Sequence, residues 1–134
     1  MATSQIVRSK ANEILNSLFQ KSYYIGLSTT TPTVTGSNFT EPAASTGYKR
    51  IQLSNMGTAS DGQIKTTDYI FMFEALSDVG TVTHFGIFTA LSVSTAPTPI
   101  FWGELNTPLE VTTGKVPLIR TGDLKIGLGK ETLS

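Results

Sequence analysis

The sequence predicts a mainly β fold: an antiparallel β-sandwich or barrel of about seven or eight short strands with one N-terminal helix. Three observations carry this expectation. A stripe of apolar residues at the 3.6-residue helical period occurs near the N-terminus. From Tyr23 onward the apolar pattern changes to period two. Turn signals rich in Gly, Pro, Asp and Thr separate the apolar runs.

The helix is expected over about residues 4–20. Val7, Ala11, Ile14, Leu15 and Leu18 recur on one face, and Arg8, Lys10, Asn12, Glu13 and Asn16 occupy the other. Thr3 or Ser4 is the candidate N-cap. A helix this short is marginal alone and must dock, on its own sheet or on a neighbouring subunit. The β-domain is expected over about residues 23–128, giving a single domain across 1–134. Tyr23 to Ser28 reads as the first strand. Residues 29–47 are Thr-rich and lack periodicity, so they form a long loop, which in a compact domain is usually functional or flexible. Tyr48 to Ser54 alternates as a strand, and Asp61-Gly62 marks a turn. Tyr69 to Phe73 is apolar on both faces and predicts a central strand. Val82 to Thr89 follows, with Phe85 and Ile87 on one face and His84, Gly86 and Phe88 on the other. Gly86 leaves room for a large side chain such as Trp102. After a Ser/Thr/Pro loop at 92–99 comes Ile100 to Leu105. Leu109-Glu110-Val111 and Val116 to Ile119 flank Thr113-Gly114-Lys115, a candidate hairpin turn. Gly122-Asp123 leads into Leu124 to Leu128.

Composition narrows the function. The 134 residues carry ten Lys+Arg and ten Asp+Glu, so the formal net charge is zero. A nucleic-acid binder needs a basic footprint, which is missing. There is no cysteine, so neither a disulfide framework nor a Cys-ligated metal site can form. No apolar run approaches the ~20 residues that span a bilayer. Arg8, Lys10, Asn12 and Glu13 interrupt the apolar run that a secretory signal requires. These features predict a soluble chain made in a reducing cytosol, binding neither nucleic acid nor membrane. Zero net charge offers little repulsion between copies and favours self-assembly.

Catalytic devices are hard to assemble from these residues. His84 is the single histidine, and no Gly-x-Ser-x-Gly elbow supplies a nucleophile. In a Phe/Ile-rich strand a lone histidine reads as a packed or hydrogen-bonded core residue. Glu41, Glu74, Asp78, Glu104 and Glu110 are candidate carboxylates for glycoside hydrolysis, but no spacing pairs two of them. No metal-ligand cluster or phosphate-cradling glycine loop appears. Catalytic, cofactor and metal sites are therefore all expected to be absent. Trp102, Tyr48, Tyr69 and Tyr23 would form a sugar platform if exposed, and core or interface packing if buried.

The ordered set of motifs is more specific than any one of them. Ala11 to Phe19 runs into Tyr23-Tyr24-Ile25-Gly26-Leu27-Ser28-Thr29-Thr30-Thr31-Pro32. Thr40-Glu41-Pro42 and Gly47-Tyr48-Lys49-Arg50 follow. Val79 to Phe88 and Phe101-Trp102-Gly103-Glu104-Leu105 come next, before Leu109 to Gly114 and Gly122 to Ile126. Over nearly the whole chain this resembles a family of small tailed-bacteriophage virion proteins, often labelled tail-fibre-like. Lys115 departs from the resemblance, which leads one to expect an acidic residue after Gly114. The resemblance implies a non-enzymatic structural component of the virion, tail-, fibre- or head-associated. It would assemble as a homo-oligomer in the host cytoplasm, with copies of itself and other virion proteins as partners. The alternative is a receptor- or carbohydrate-binding adhesin module that takes a host surface glycan. The helix supplies the docking candidate, with Val7, Ala11, Ile14 and Leu18 as its contact stripe. The 29–47 loop would be the outward surface.

Overall fold

A computed structural model describes residues 6–53, 56–67, 69–120 and 124–128. The N-cap candidates Thr3 and Ser4, the strand end at Ser54 and the Gly122-Asp123 turn lie outside the described residues. Those described form one α-helix, one short 3-10 turn at Ala44–Thr46 and eight strands in antiparallel sheets, as the period-two pattern predicts, and none of the sheets closes into a barrel. Contacts divide the chain into two compact units. One is built from the described parts of 1–21, 54–69 and 119–134, and the other from 22–53 and 70–118. Each unit draws on separate stretches of sequence, so neither can be excised as one continuous segment.

In the first unit, α1 (Arg8–Leu18) packs on β3 (Gln63–Lys65), which pairs antiparallel with β8 (Lys125–Gly127). Ile64 and Ile126 stand opposite each other, and both are buried. The helix begins one residue after Val7, whose side chain offers no acceptor for the free N–H groups of the first turn. Side-chain amides fix it instead. Asn12 Oδ1 accepts the Gly62 N–H at 2.7 Å, and Asn16 Oδ1 accepts the Ala59 N–H at 2.8 Å. The asparagines read as lying opposite the apolar stripe therefore hold the helix to the β3 region. Asp61 and Gly62 have φ of 54° and 73°, and Ser60 and Gln63 exchange two backbone bonds across them. Positive φ at both positions is what a two-residue hairpin turn demands.

The second unit is built on a four-stranded sheet in the order β2 (Ile51–Leu53), β1 (Tyr23–Ser28), β5 (Gly80–Phe88), β6 (Phe101–Val111). Ile25, Leu27, Val82, Ile87 and Phe88 form its core, each stabilising the fold by roughly 1.5–3 kcal/mol through burial. Cross-strand register sets Gly26, Gly86 and Trp102 abreast, and likewise Ser28, His84 and Glu104. Residues directly opposite share a face. The 29–47 loop lies over that face, with Phe39 against Gly86 and Glu41 against Gly26. Phe39 meets Phe88 edge-on at 5.2 Å. A Cβ at Gly86 would lie 2.7 Å from the Phe39 ring and 3.1 Å from Pro99. The glycine does admit a close aromatic approach, but the ring is Phe39, not Trp102.

Three strand expectations need correction. Tyr69 to Phe73 is not central. Only Ile70–Phe71 (β4) is extended, paired with β7 (Leu118–Ile119) in a separate two-stranded sheet. Tyr69 and Phe71 are largely exposed while Met72 and Phe73 are buried. The two expected strands at 100–105 and 109–111 are one strand, β6, which carries three more residues than β5 between the Val82–Leu109 and His84–Glu104 pairs. Gly114 does make a turn, at φ 88°, with Lys115 N–H bonded to the Thr112 carbonyl. However, β7 pairs with β4 and not back onto β6, so the turn joins two sheets instead of closing a hairpin.

Candidate functional site

The 29–47 loop and the residues beneath it hold the densest polar network described. The loop's stem is closed by the Thr29 N–H on the Thr40 carbonyl at 3.0 Å. Ser28 lies fully buried under that stem. Its hydroxyl donates to the Thr30 carbonyl at 2.8 Å and accepts the Thr30 and Thr40 N–H groups at 3.1 and 3.0 Å. Thr30 Oγ1 donates to the Asn38 carbonyl, and Asn38 donates back to the Thr31 carbonyl. Asn38 takes φ 61°, a left-handed conformation that asparagine tolerates better than most residues. The Trp102 indole N–H donates to the Thr33 carbonyl at 2.9 Å. The threonines thus act as local hydrogen-bonding groups that give an aperiodic segment one conformation.

The base of the loop is fixed by a buried ionic cluster. Arg50 is 2% exposed. Its Nε and Nη2 donate to the two Glu41 carboxylate oxygens at 2.9 and 2.8 Å, a bidentate pair. Its Nη1 donates to the carbonyls of Ala90 and Ala96 at 3.0 and 2.8 Å. The guanidinium also stacks 3.5 Å above the Phe88 ring centroid. Tyr48 donates its hydroxyl proton to Glu41 Oε2 and accepts the Leu27 N–H at 3.1 Å. Burial, and then the hydrogen bond to Glu41, push the Tyr48 phenol far above its ordinary value, so it serves as a donor throughout the physiological range. One charged pair therefore ties three segments together: the 29–47 loop, the strand entry at Tyr48–Arg50 and the 90–96 loop. Gly26 is needed beneath it, because a Cβ there would lie 2.6 Å from Tyr48 Oη and 3.0 Å from Glu41 Oε2.

This arrangement answers several catalytic readings. Glu41 is paired with Arg50. Asp78 accepts the Thr113 N–H and hydroxyl at 2.9 and 3.0 Å, which holds its carboxyl below the usual carboxylate range and caps the turn before Gly114. Register does bring a serine, the histidine and a glutamate abreast, as Ser28, His84 and Glu104. They are not connected as a nucleophilic device. The Ser28 proton goes to Thr30, and His84 Nδ1 bonds Thr83 Oγ1 at 2.8 Å. His84 is 5% exposed with its ring 5.7 Å from Trp102, matching the packed, hydrogen-bonded histidine expected from its strand. No group of three metal-ligating side chains occurs among the described residues. The sugar platform is not assembled either. Tyr23 and Tyr48 are buried, Trp102 is half-buried with its N–H engaged, and Tyr69, which is exposed, belongs to the other unit.

The docking stripe is divided. Ala11 is buried and Leu18 half-buried, whereas Val7 is 66% and Ile14 40% exposed. Leu15 is fully buried. On a helical wheel Ala11 and Leu15 point to the packed side, and Val7 and Ile14 fall on one flank of it. Sequence reasoning missed the roles of Asn12, Asn16, Glu41 and Arg50 as holding groups. For the last two a signal existed: Thr40-Glu41-Pro42 and Gly47-Tyr48-Lys49-Arg50 both stood out as motifs.

The sequence model of a family described as podophage GP4 fiber I protein gp80 matches residues 5–127. No curated protein matches the chain.

Proposed function

The chain belongs to the podophage GP4 fiber I protein gp80 family, and from that membership we propose that it is a non-enzymatic structural part of a bacteriophage virion, assembled there as a homo-oligomer in contact with other virion proteins. The family match along residues 5–127 carries this reading. The site geometry supports it: the buried polar groups of Ser28, Glu41, Tyr48 and Arg50 are all spent on fixing loops. Such wiring suits a scaffold that presents a rigid surface. Assembly follows synthesis in the host cytoplasm. The helix docks through the exposed members of its stripe, Val7 and Ile14.

The alternative, an adhesin that takes a host surface glycan, draws support from the hydroxyl-rich segment 28–40, which contains no charged residue. The unassembled aromatic platform weakens it. Phage produced without this chain provides the test. Particles lacking a structural feature, restored by supplying the chain, are expected. Particles of unchanged composition and infectivity would contradict the proposal.

A further inference from the structure

The polar network locks two loops of the second unit into one surface. Arg50 holds the 29–47 loop through Glu41 and the 90–96 loop through the carbonyls of Ala90 and Ala96. The loops also touch directly. Gly36 takes φ 81° in a tight turn, and a Cβ there would lie 2.6 Å from Thr98 Cγ2. Trp102 joins β6 to the same turn through its bond to the Thr33 carbonyl. Residues 28–40 and 89–103 contain no Asp, Glu, Lys, Arg or His, so every charged side chain lies outside both segments. Beneath them Glu41 and Arg50 neutralise each other, with side chains 11% and 1% exposed. Short uncharged side chains face the water instead. The hydroxyls of Thr33, Thr35 and Ser37 bond one another at 3.0, 2.6 and 3.4 Å, and Val34 among them is 97% exposed. Leu91, Val93 and Ile100 are exposed on the second segment.

We propose that this two-loop face binds an uncharged polysaccharide. A sugar ring carries hydroxyls on its rim and C–H groups on its faces. Threonine offers the same combination on one side chain: a hydroxyl that both donates and accepts, and a methyl group. The bonds among Thr33, Thr35 and Ser37 leave acceptor lone pairs open to a ligand. Charge sets the class of sugar. The face has no cation to neutralise a phosphate or uronate, and the exposed Glu104 at its boundary repels one. A protein partner fits less well. Leu, Ser, Thr and Val seldom anchor protein interfaces, and the large aromatic and Arg anchors that do are not exposed here. Both loops are fixed before a ligand arrives, so binding costs little ordering entropy.

The inference rests on the adhesin reading above, and the experiment separates the two. The purified full chain is applied to an array of bacterial surface polysaccharides, with neutral members and members bearing uronate or phosphate. Binding to neutral members is expected, with an affinity that added salt leaves unchanged. Val34→Asp and Ser94→Asp should each weaken it about tenfold or more, because a carboxylate would be desolvated there without a partner. Their circular dichroism spectra should stay unchanged, since both side chains face water. Phe71→Ser, outside both segments, should leave binding unaltered. Anionic members bound in preference, or neutral binding indifferent to both aspartate substitutions, would overturn the inference and leave the adhesin reading standing. Binding to no member would overturn both. Particles that lose the Val34→Asp chain while its polysaccharide binding persists would mark the face as a protein contact and overturn the inference.

Discussion

Replacing Glu41 with glutamine isolates the physics of the buried cluster. The change keeps the shape of the side chain and removes its charge. Arg50, 2% exposed, is then left without a counter-ion, and its two bonds at 2.9 and 2.8 Å lose their charge-assisted partner. Removing one member of a buried pair costs about 3–5 kcal/mol, because the remaining charge stays desolvated. Glu41 is 11% exposed and the Ala90 and Ala96 carbonyls still solvate Nη1, which favours the lower end. A loss of about 3 kcal/mol is expected, a large share of the roughly 5–15 kcal/mol that holds a domain folded. For a chain of this size it corresponds to a fall in Tm of about 10 °C. Thermal and urea unfolding followed by circular dichroism measure it. Arg50→Met combined with Glu41→Gln should cost less than Arg50→Met alone, since no unpaired buried charge remains. A Glu41→Gln loss below about 1 kcal/mol would show that the carbonyls alone satisfy Arg50, and the cluster would not be the structural centre described.

Other expectations follow from the same contacts. Gly26→Ala should destabilise by about 1–3 kcal/mol in equilibrium unfolding, because its Cβ would press on Tyr48 Oη and Phe88 in a filled space. Asn12→Ala should cost about 1–2 kcal/mol and speed amide exchange in α1, since the buried Gly62 N–H loses its acceptor. Two of the described groups have shifted pKa values that contribute to the pH response. The folded-state pKa of Tyr48 is raised, so its contribution is complete below its unfolded value near 10 and is lost as pH rises beyond it; urea midpoints should fall in that alkaline range. The folded-state pKa of Asp78 is depressed by Thr113, so its contribution is present above the unfolded value and is lost as pH falls through the folded one. Asp78→Asn should therefore flatten the acid limb of the stability curve.

Much of the architecture was legible because periodicity reports burial. The stripe of Ala11 and Leu15 gives the helix, and Tyr23 to Ser28 gives β1. Asp61-Gly62 gives a turn whose positive φ values need those residue types. What periodicity does not report is the agent of burial. Tyr69 to Phe73 reads as a central strand because both faces are apolar, yet Met72 and Phe73 alone are buried and Tyr69 and Phe71 face water. Tyr48 and Arg50 are both buried with Lys49 exposed between them, so they alternate like a strand but lie before β2 begins. A buried arginine counts as polar in any hydropathy pattern. Its role becomes visible only when the chain brings Glu41, Phe88 and the 90–96 carbonyls around it. The 29–47 segment looked free because its order comes from hydroxyls, which carry no periodic signal.

The central claim is that this chain is a structural part of the phage particle. Quantitative mass spectrometry of gradient-purified particles tests it most directly. The chain is expected at a fixed copy number per particle, unchanged after a salt wash. Its recovery only in the soluble lysate, with none in the purified particles, would contradict the account.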